Sequence, residues 1–129
     1  ERHGDKRSKD LGALQHRMAR ALAATGDHEG ELRWLQAAWE SYPQSGEMAS
    51  ELAERAMALK NWDVALKALR ALAAMRTPAP ISRPLALFRQ AEIAEIQEDA
   101  RKAAFLAKKA LSEDPELKEA EEFLARLKA

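Results

Sequence analysis

The chain has no cysteine, which removes disulfides and thiolate metal sites. The compartment stays open, because a cysteine-free chain suits cytosol and periplasm alike. Aromatics are scarce at 5%, and glycine and proline number five each in 129 residues, which disfavours sheets and turn-dense folds and favours helices. Charge of one sign is not in excess either: 21 basic residues meet 21 acidic ones, interspersed along the chain. A binder of phosphate backbones shows a basic stripe, so nucleic acid is not an expected partner. No uncharged apolar run approaches the roughly 18 residues needed to span a bilayer, and no signal-peptide core is visible, so the chain reads as soluble without direct membrane insertion. It begins with Glu1, not methionine, which fits a trimmed product or a piece of a longer protein with any targeting signal upstream.

What is abundant is alanine and leucine at helical spacing. In Lys60–Leu72 the residues Ala65, Leu66, Leu69 and Leu72 fall on one side of a helix, Lys67 and Arg70 on the other, and Asn61 is suited to cap its start. The arrangement recurs. Ala19, Ala53, Ala91 and Ala125 sit in similar settings at spacings of 34, 38 and 34 residues. The turn pairs Gly26-Asp27, Lys60-Asn61 and Glu98-Asp99 keep the spacings 34 and 38, as do Glu31, Ala65 and Ala103. Three markers in one register indicate a helical repeat.

Taken in order, residues 1–10 are charged and without periodicity, the pattern of a linker or disordered arm. The first repeat, about 12–45, has Leu11, Leu14, Met18, Ala19 and Leu22 as the inward face of its first helix, a stop at Gly26, a cap at Asp27, and Leu32, Leu35, Ala38, Trp39 and Tyr42 inward up to Pro43. The second, about 46–79, opens after Ser45 with Met48, Leu52, Ala53, Ala56 and Leu59 inward. Pro78, Pro80 and Pro84 stiffen the next link and account for its four extra residues. The third, about 84–117, buries Leu87, Ala91 and Ala94, then Ala103, Leu106, Ala110 and Leu111. Asp114-Pro115 starts a seventh helix, about 115–129, with Leu117, Ala120, Leu124 and Leu127 inward and acids on its solvated face.

A two-helix period near 34 residues with small residues at the helix crossings resembles the tetratricopeptide repeat (TPR) family over about residues 12–129. The resemblance is strongest at Gly26-Asp27 leading to Leu35, Ala38 and Pro43, at Asn61-Trp62-Asp63 leading to Ala65, and at Lys109-Ala110-Leu111 leading to Asp114-Pro115. It departs from the family's pattern at Glu31, Leu72 and Gln90, and His28 and Ala100 stand where Trp62 does in the second repeat. The expectation is an all-α, right-handed superhelical solenoid of antiparallel helix pairs, about seven helices: a domain over 11–129 with three repeats and a capping helix.

The resemblance also implies a function. First helices of such repeats line a concave groove for a partner segment, which here places Ala13, His16 and Arg20, then Glu47, Ser50, Glu54 and Met57, then Leu85, Phe88, Glu92, Glu95 and Ile96 in the groove. Leu85, Phe88 and Ile96 form its apolar stripe, open to a partner unless the seventh helix covers it. The carboxylate clamp of chaperone-binding members is missing, since Glu54 would repel a carboxylate. The expected partner is therefore a protein or peptide segment with apolar anchors and basic groups facing Glu54, Glu92 and Glu95. The alternative is a structural spacer or self-association segment of a longer repeat protein.

Other chemistry fails on its spacing. After His28-Glu29 the second histidine of a zinc-protease motif would fall at Leu32, and Gly26 to Gly30 lacks a phosphate loop's lysine and hydroxyl. His3, His16 and His28 are scattered and read as surface residues, so no metal, cofactor or catalytic residue is expected, and the chain reads as a non-enzyme. Trp39 and Trp62 read as packing residues. Trp34, at the flank of its apolar arc, fits packing or a ligand contact.

Overall fold

Three residues with left-handed backbone divide the helices: Gly26 (φ 84°), Lys60 (φ 61°) and Glu98 (φ 63°). At each, the next residue's N–H reaches back five residues, Asp27 to the Leu22 carbonyl at 2.9 Å, Asn61 to Ala56 at 2.8 Å and Asp99 to Ala94 at 2.8 Å, closing the preceding helix in a Schellman turn. The same three residues open the following helix. The side-chain oxygen of Asp27 accepts from the Gly30 N–H at 2.9 Å, that of Asn61 from Val64 at 3.3 Å, and that of Asp99 from Lys102 at 3.1 Å. Serine does the capping elsewhere, Ser45 for Met48 at 3.1 Å and Ser82 for Leu85 at 3.3 Å.

The computed structural model describes residues 2–128, with side chains from residue 6. Among these residues the chain is all-α, with seven helices and no strand: α1 (Arg2–Ala24), α2 (His28–Ser41), α3 (Gly46–Ala58), α4 (Trp62–Ala74), α5 (Arg83–Ile96), α6 (Ala100–Glu113) and α7 (Lys118–Lys128). No helix among them is long and apolar enough to cross a membrane. The expected surface setting of the His3 side chain lies outside the described side chains. Packing divides the chain inside α4, into one compact unit through Ala68 and another from Leu69.

In the first unit α1 packs on α2, and α2 on α3. The α1–α2 approach is close at Gly12, where an added Cβ would stand 3.2 Å from the Ala38 carbonyl oxygen and 3.4 Å from the Met48 side chain. Ala19 and Ala38 are fully buried in this unit, as are Leu52, Ala53 and Ala56 on α3. In the second unit α5 packs on α6 and α6 on α7, with Ala86, Leu87, Ala91, Ile93, Ala103, Leu106 and Ala110 buried. Arg83, at the start of α5, donates to the Ala73 carbonyl at the end of α4 and pairs with Glu113 at the end of α6 at 2.8 Å, tying down both ends of the proline-rich link.

Three expectations differ. Residues 2–10 continue α1 where an arm was expected, because lysine, arginine and serine without proline extend a helix already nucleated further along, across Gly4. Leu11, Leu14 and Met18 face solvent, 49%, 51% and 42% exposed, because α1 meets α2 through Gly12 and Ala19 on a different side. The seventh helix starts at Lys118, three residues later than Pro115: the Asp114 carboxylate accepts from the Glu116 N–H at 3.1 Å, forming an Asx turn ahead of the helix.

The left-handed turns predict paired effects of opposite sign. Gly26→Ala is expected to lower stability by about 1–2 kcal/mol, whereas Lys60→Gly and Glu98→Gly each raise it by about 0.5–1 kcal/mol, because only glycine takes this conformation without a Cβ clash. Urea midpoints at constant m-value measure both, and equal shifts of one sign would contradict the turn assignment.

Candidate partner-binding site

A cleft of about 540 Å³ opens on the first unit between α1, the connector after α2, and α3. Lys9, Ala13, His16, Arg17 and Arg20 share one side of α1 at helical spacing and form one wall; Glu47, Met48 and Glu51 on α3 form the other, with Tyr42 and Ser45 between. His16 Nε2 lies 2.7 Å from the Glu51 carboxylate and joins the two walls. Lys9, Arg17 and Arg20 are exposed and make no ion pair among the described residues. The cleft therefore has a cationic wall free to meet carboxylates and an acidic wall facing it.

The candidate groove residues divide by unit. In the first, Ala13, His16, Arg20 and Glu47 line this cleft. Ser50 does not: it is buried, because it follows Ala49 on the inward side of α3. Glu54 is exposed and Met57 half-buried, and neither lines the cleft.

In the second unit, Phe88 is only 3% exposed. Its ring meets Phe123 of α7 edge to face, centroids 5.4 Å apart and planes at 85°. The open apolar stripe expected there is thus broken by α7, with Leu85 half-buried and Ile96 exposed beyond it. The acids are occupied as well. Arg89 holds Glu92 at 2.7 Å and Glu119 at 3.4 Å, and Arg126 holds Glu95 at 3.4 Å while lying 5.1 Å from the Phe123 ring centroid. Burial disfavours the charge on Arg89, but Glu92 and Glu119 outweigh that and raise its pKa further. Glu92 and Glu95 accordingly face the chain's own arginines, and only a shallow cleft of about 370 Å³ remains beside Phe88, Glu92 and Phe123. Sequence reasoning passed over Phe123, although it lies three residues beyond the buried Ala120 on the same helix face, and the i,i+3 pairing of Arg89 with Glu92 was also available.

Glu31, where the repeat pattern has a small residue, is buried and paired. Arg55 of α3 grips it from two nitrogens at 2.8 and 3.1 Å, and His28 Nδ1 is 3.1 Å away. Burial by itself raises the Glu31 pKa; the Arg55 and His28 hydrogen bonds outweigh it and hold the carboxyl below its usual value. A second cleft of about 430 Å³, lined by His28, Leu32, Arg33 and Gln36 of α2 with Leu59 and Asn61, opens beside this pair. Trp34 and Trp62 are half-buried and line neither first-unit cleft. No group of three or more metal-ligating side chains occurs among the described residues.

Two outcomes follow from these contacts. Phe88→Ala is expected to cost about 3–5 kcal/mol of unfolding free energy in denaturant titration, as for a buried aromatic in a packed core. Arg55→Met is expected to cost about 2 kcal/mol at pH 7, since it leaves a buried carboxylate without its charged donor. Because the Glu31 pKa is lowered on folding, the stabilisation is present above the unfolded carboxylate value of about 4.3 and is lost as pH falls through the folded value. The gap between wild type and Arg55→Met should therefore close in acid; a gap constant from pH 7 to pH 2 would contradict the pairing.

No protein-family model matches the chain, and no curated protein matches it.

Proposed function

We propose that the chain is a protein-interaction module of the tetratricopeptide type, without catalytic activity, that holds an extended segment of a protein partner in the cleft between α1 and α3. The observation that carries this reading is the row Lys9, Arg17 and Arg20 along one wall, without an ion pair among the described residues, with Glu47 and Glu51 opposite. Support for the repeat type comes from the thrice-repeated turn that ends one helix and caps the next, and from the buried alanines Ala19, Ala53 and Ala91 at spacings of 34 and 38.

The contacts change the partner expected from sequence. Basic groups on a partner have little to gain at Glu92, already held by Arg89, or at Glu95, already held by Arg126. The first-unit cleft instead suits a segment with carboxylates toward α1 and an apolar side chain toward Met48 and Tyr42. Charged contacts of this kind govern encounter rate and specificity, and they weaken as salt rises.

Selection of displayed peptides on the immobilised chain, followed by fluorescence anisotropy of the enriched sequence, tests the reading. The enriched peptides should be acidic, and Arg17→Glu with Arg20→Glu should weaken binding by about tenfold or more. Arg33→Glu, on α2 outside this cleft, should leave affinity within about twofold. Enrichment of basic peptides, or equal affinity of the double variant, would overturn the cleft assignment.

A further inference from the structure

Helix α1 carries a second apolar row that no part of the described chain covers. Leu11, Leu14 and Met18 are each exposed by two fifths or more, and Arg7 and Ala21 extend the row at both ends. The spacings 7, 11, 14, 18 and 21 alternate four and three, which is the seam of a coiled coil and not merely a helix surface. By contrast, the other large exposed apolar side chains, Ile96 and Phe105, stand singly on separate helices. Gly12 and Ala19 already supply the contact with α2, so the row is not needed to hold α1 in place.

We propose that this row is the self-association surface of the chain, and that its occupant is α1 of a second copy running antiparallel. The flanking charges select this occupant. Asp10 and Arg17 stand seven residues apart on the same edge of the row, both exposed and both without an ion pair among the described residues. In an antiparallel pair, edges of the same kind face each other. A twofold axis midway between them therefore sets Asp10 of each copy against Arg17 of the other, while Leu11 of one meets Leu14 of the other. Met18 then lies over the methylenes of Arg7 from the second copy. Shifting the pair by one heptad would bring Arg17 against Arg17, and a parallel pair would set Asp10 beside Gln15 and Arg17 beside Leu22, with no ion pair in either case. Only one arrangement satisfies both the leucines and the charges. The seam from Arg7 to Ala21 is about 22 Å long at 1.5 Å per residue, short enough that the dimer is weak and concentration-dependent.

Sedimentation equilibrium of the full chain, from about 10 µM to about 1 mM, reads the association directly by mass action. The wild-type mass is expected to rise toward that of a dimer. Leu14→Glu should stay monomeric with unchanged helical circular dichroism and melting temperature, since Leu14 is half exposed. Asp10→Lys and Arg17→Asp should each weaken association by about fivefold to tenfold, and the two together should restore it to within about twofold. A wild-type mass constant at the monomer value would overturn the proposal, as would a dimer that the double exchange fails to restore, because both copies would then meet elsewhere or in another register.

Discussion

A residue that must end one helix and begin the next has to satisfy two opposite demands. Its backbone N–H must reach back to an unpaired carbonyl, and its side chain must reach forward to an unpaired N–H. Asp27, Asn61 and Asp99 do both, each preceded by a residue in the left-handed conformation that makes the reversal tight enough. Between α1 and α2 and between α5 and α6, so short a turn leaves the helices side by side along their length. Side-by-side packing in turn requires small residues where the backbones come nearest, which Gly12, Ala19 and Ala38 supply in the first unit and Ala91 and Ala110 in the second. The alanine richness of the chain is therefore a consequence of the turns as much as of helix propensity.

That dependence explains which features were legible in the sequence. Turn chemistry is local, so Gly26-Asp27, Lys60-Asn61 and Glu98-Asp99 disclosed the helix boundaries before any packing was known. Helix facing is not local. Apolar periodicity reports that α1 has an apolar row but not where its centre lies, and a face that took the larger side chains Leu11, Leu14 and Met18 inward along with Ala19 and Leu22 left out Gly12. Close approach reversed that choice, because a backbone-to-backbone crossing admits glycine and alanine but not leucine. On α5 the difficulty was different. The helix is apolar over much of its circumference, as suits a helix covered from two sides, and both of its rows, Leu87-Ala91-Ala94 and Leu85-Phe88, read as plausible faces. The contact of Phe88 with Phe123 depends on where α7 lies, which no spacing within α5 contains.

Charge is balanced over the chain but used differently in its two units. In the second, Arg89 and Arg126 close on Glu92, Glu119 and Glu95, and both guanidinium groups also lie near aromatic rings. Such partly exposed pairs contribute little stability each, yet they fix the partners of α7 and neutralise the acids on α5. In the first unit the deepest pair, Glu31 with Arg55, links α2 to α3 at a position where the repeat pattern would place a small residue. Replacing that residue with a buried acid is tolerable only because Arg55 and His28 supply donors, so the pair specifies which surfaces meet more than it adds net stability. What sets Lys9, Arg17 and Arg20 apart from the other cations without an ion pair among the described residues is that they stand together on one wall of the cleft.

A single helix can serve both of the contacts inferred for α1 because its rows diverge at about 100° per residue. Lys9, Ala13, His16 and Arg20 turn toward α3 and the cleft, while Leu11, Leu14 and Met18 turn well away from both the cleft and α2. Arg17 lies at the border of the two rows. A carboxylate in the cleft and Asp10 of a second copy would compete for its guanidinium, whereas Lys9 and Arg20 answer to the cleft alone. Were both proposed contacts to form, coupling between self-association and partner binding would run through that one side chain, and thermodynamic reciprocity would make it equal in both directions. Self-pairing of the proposed kind would leave the cleft open and lower a partner's affinity by no more than the share that Arg17 contributes.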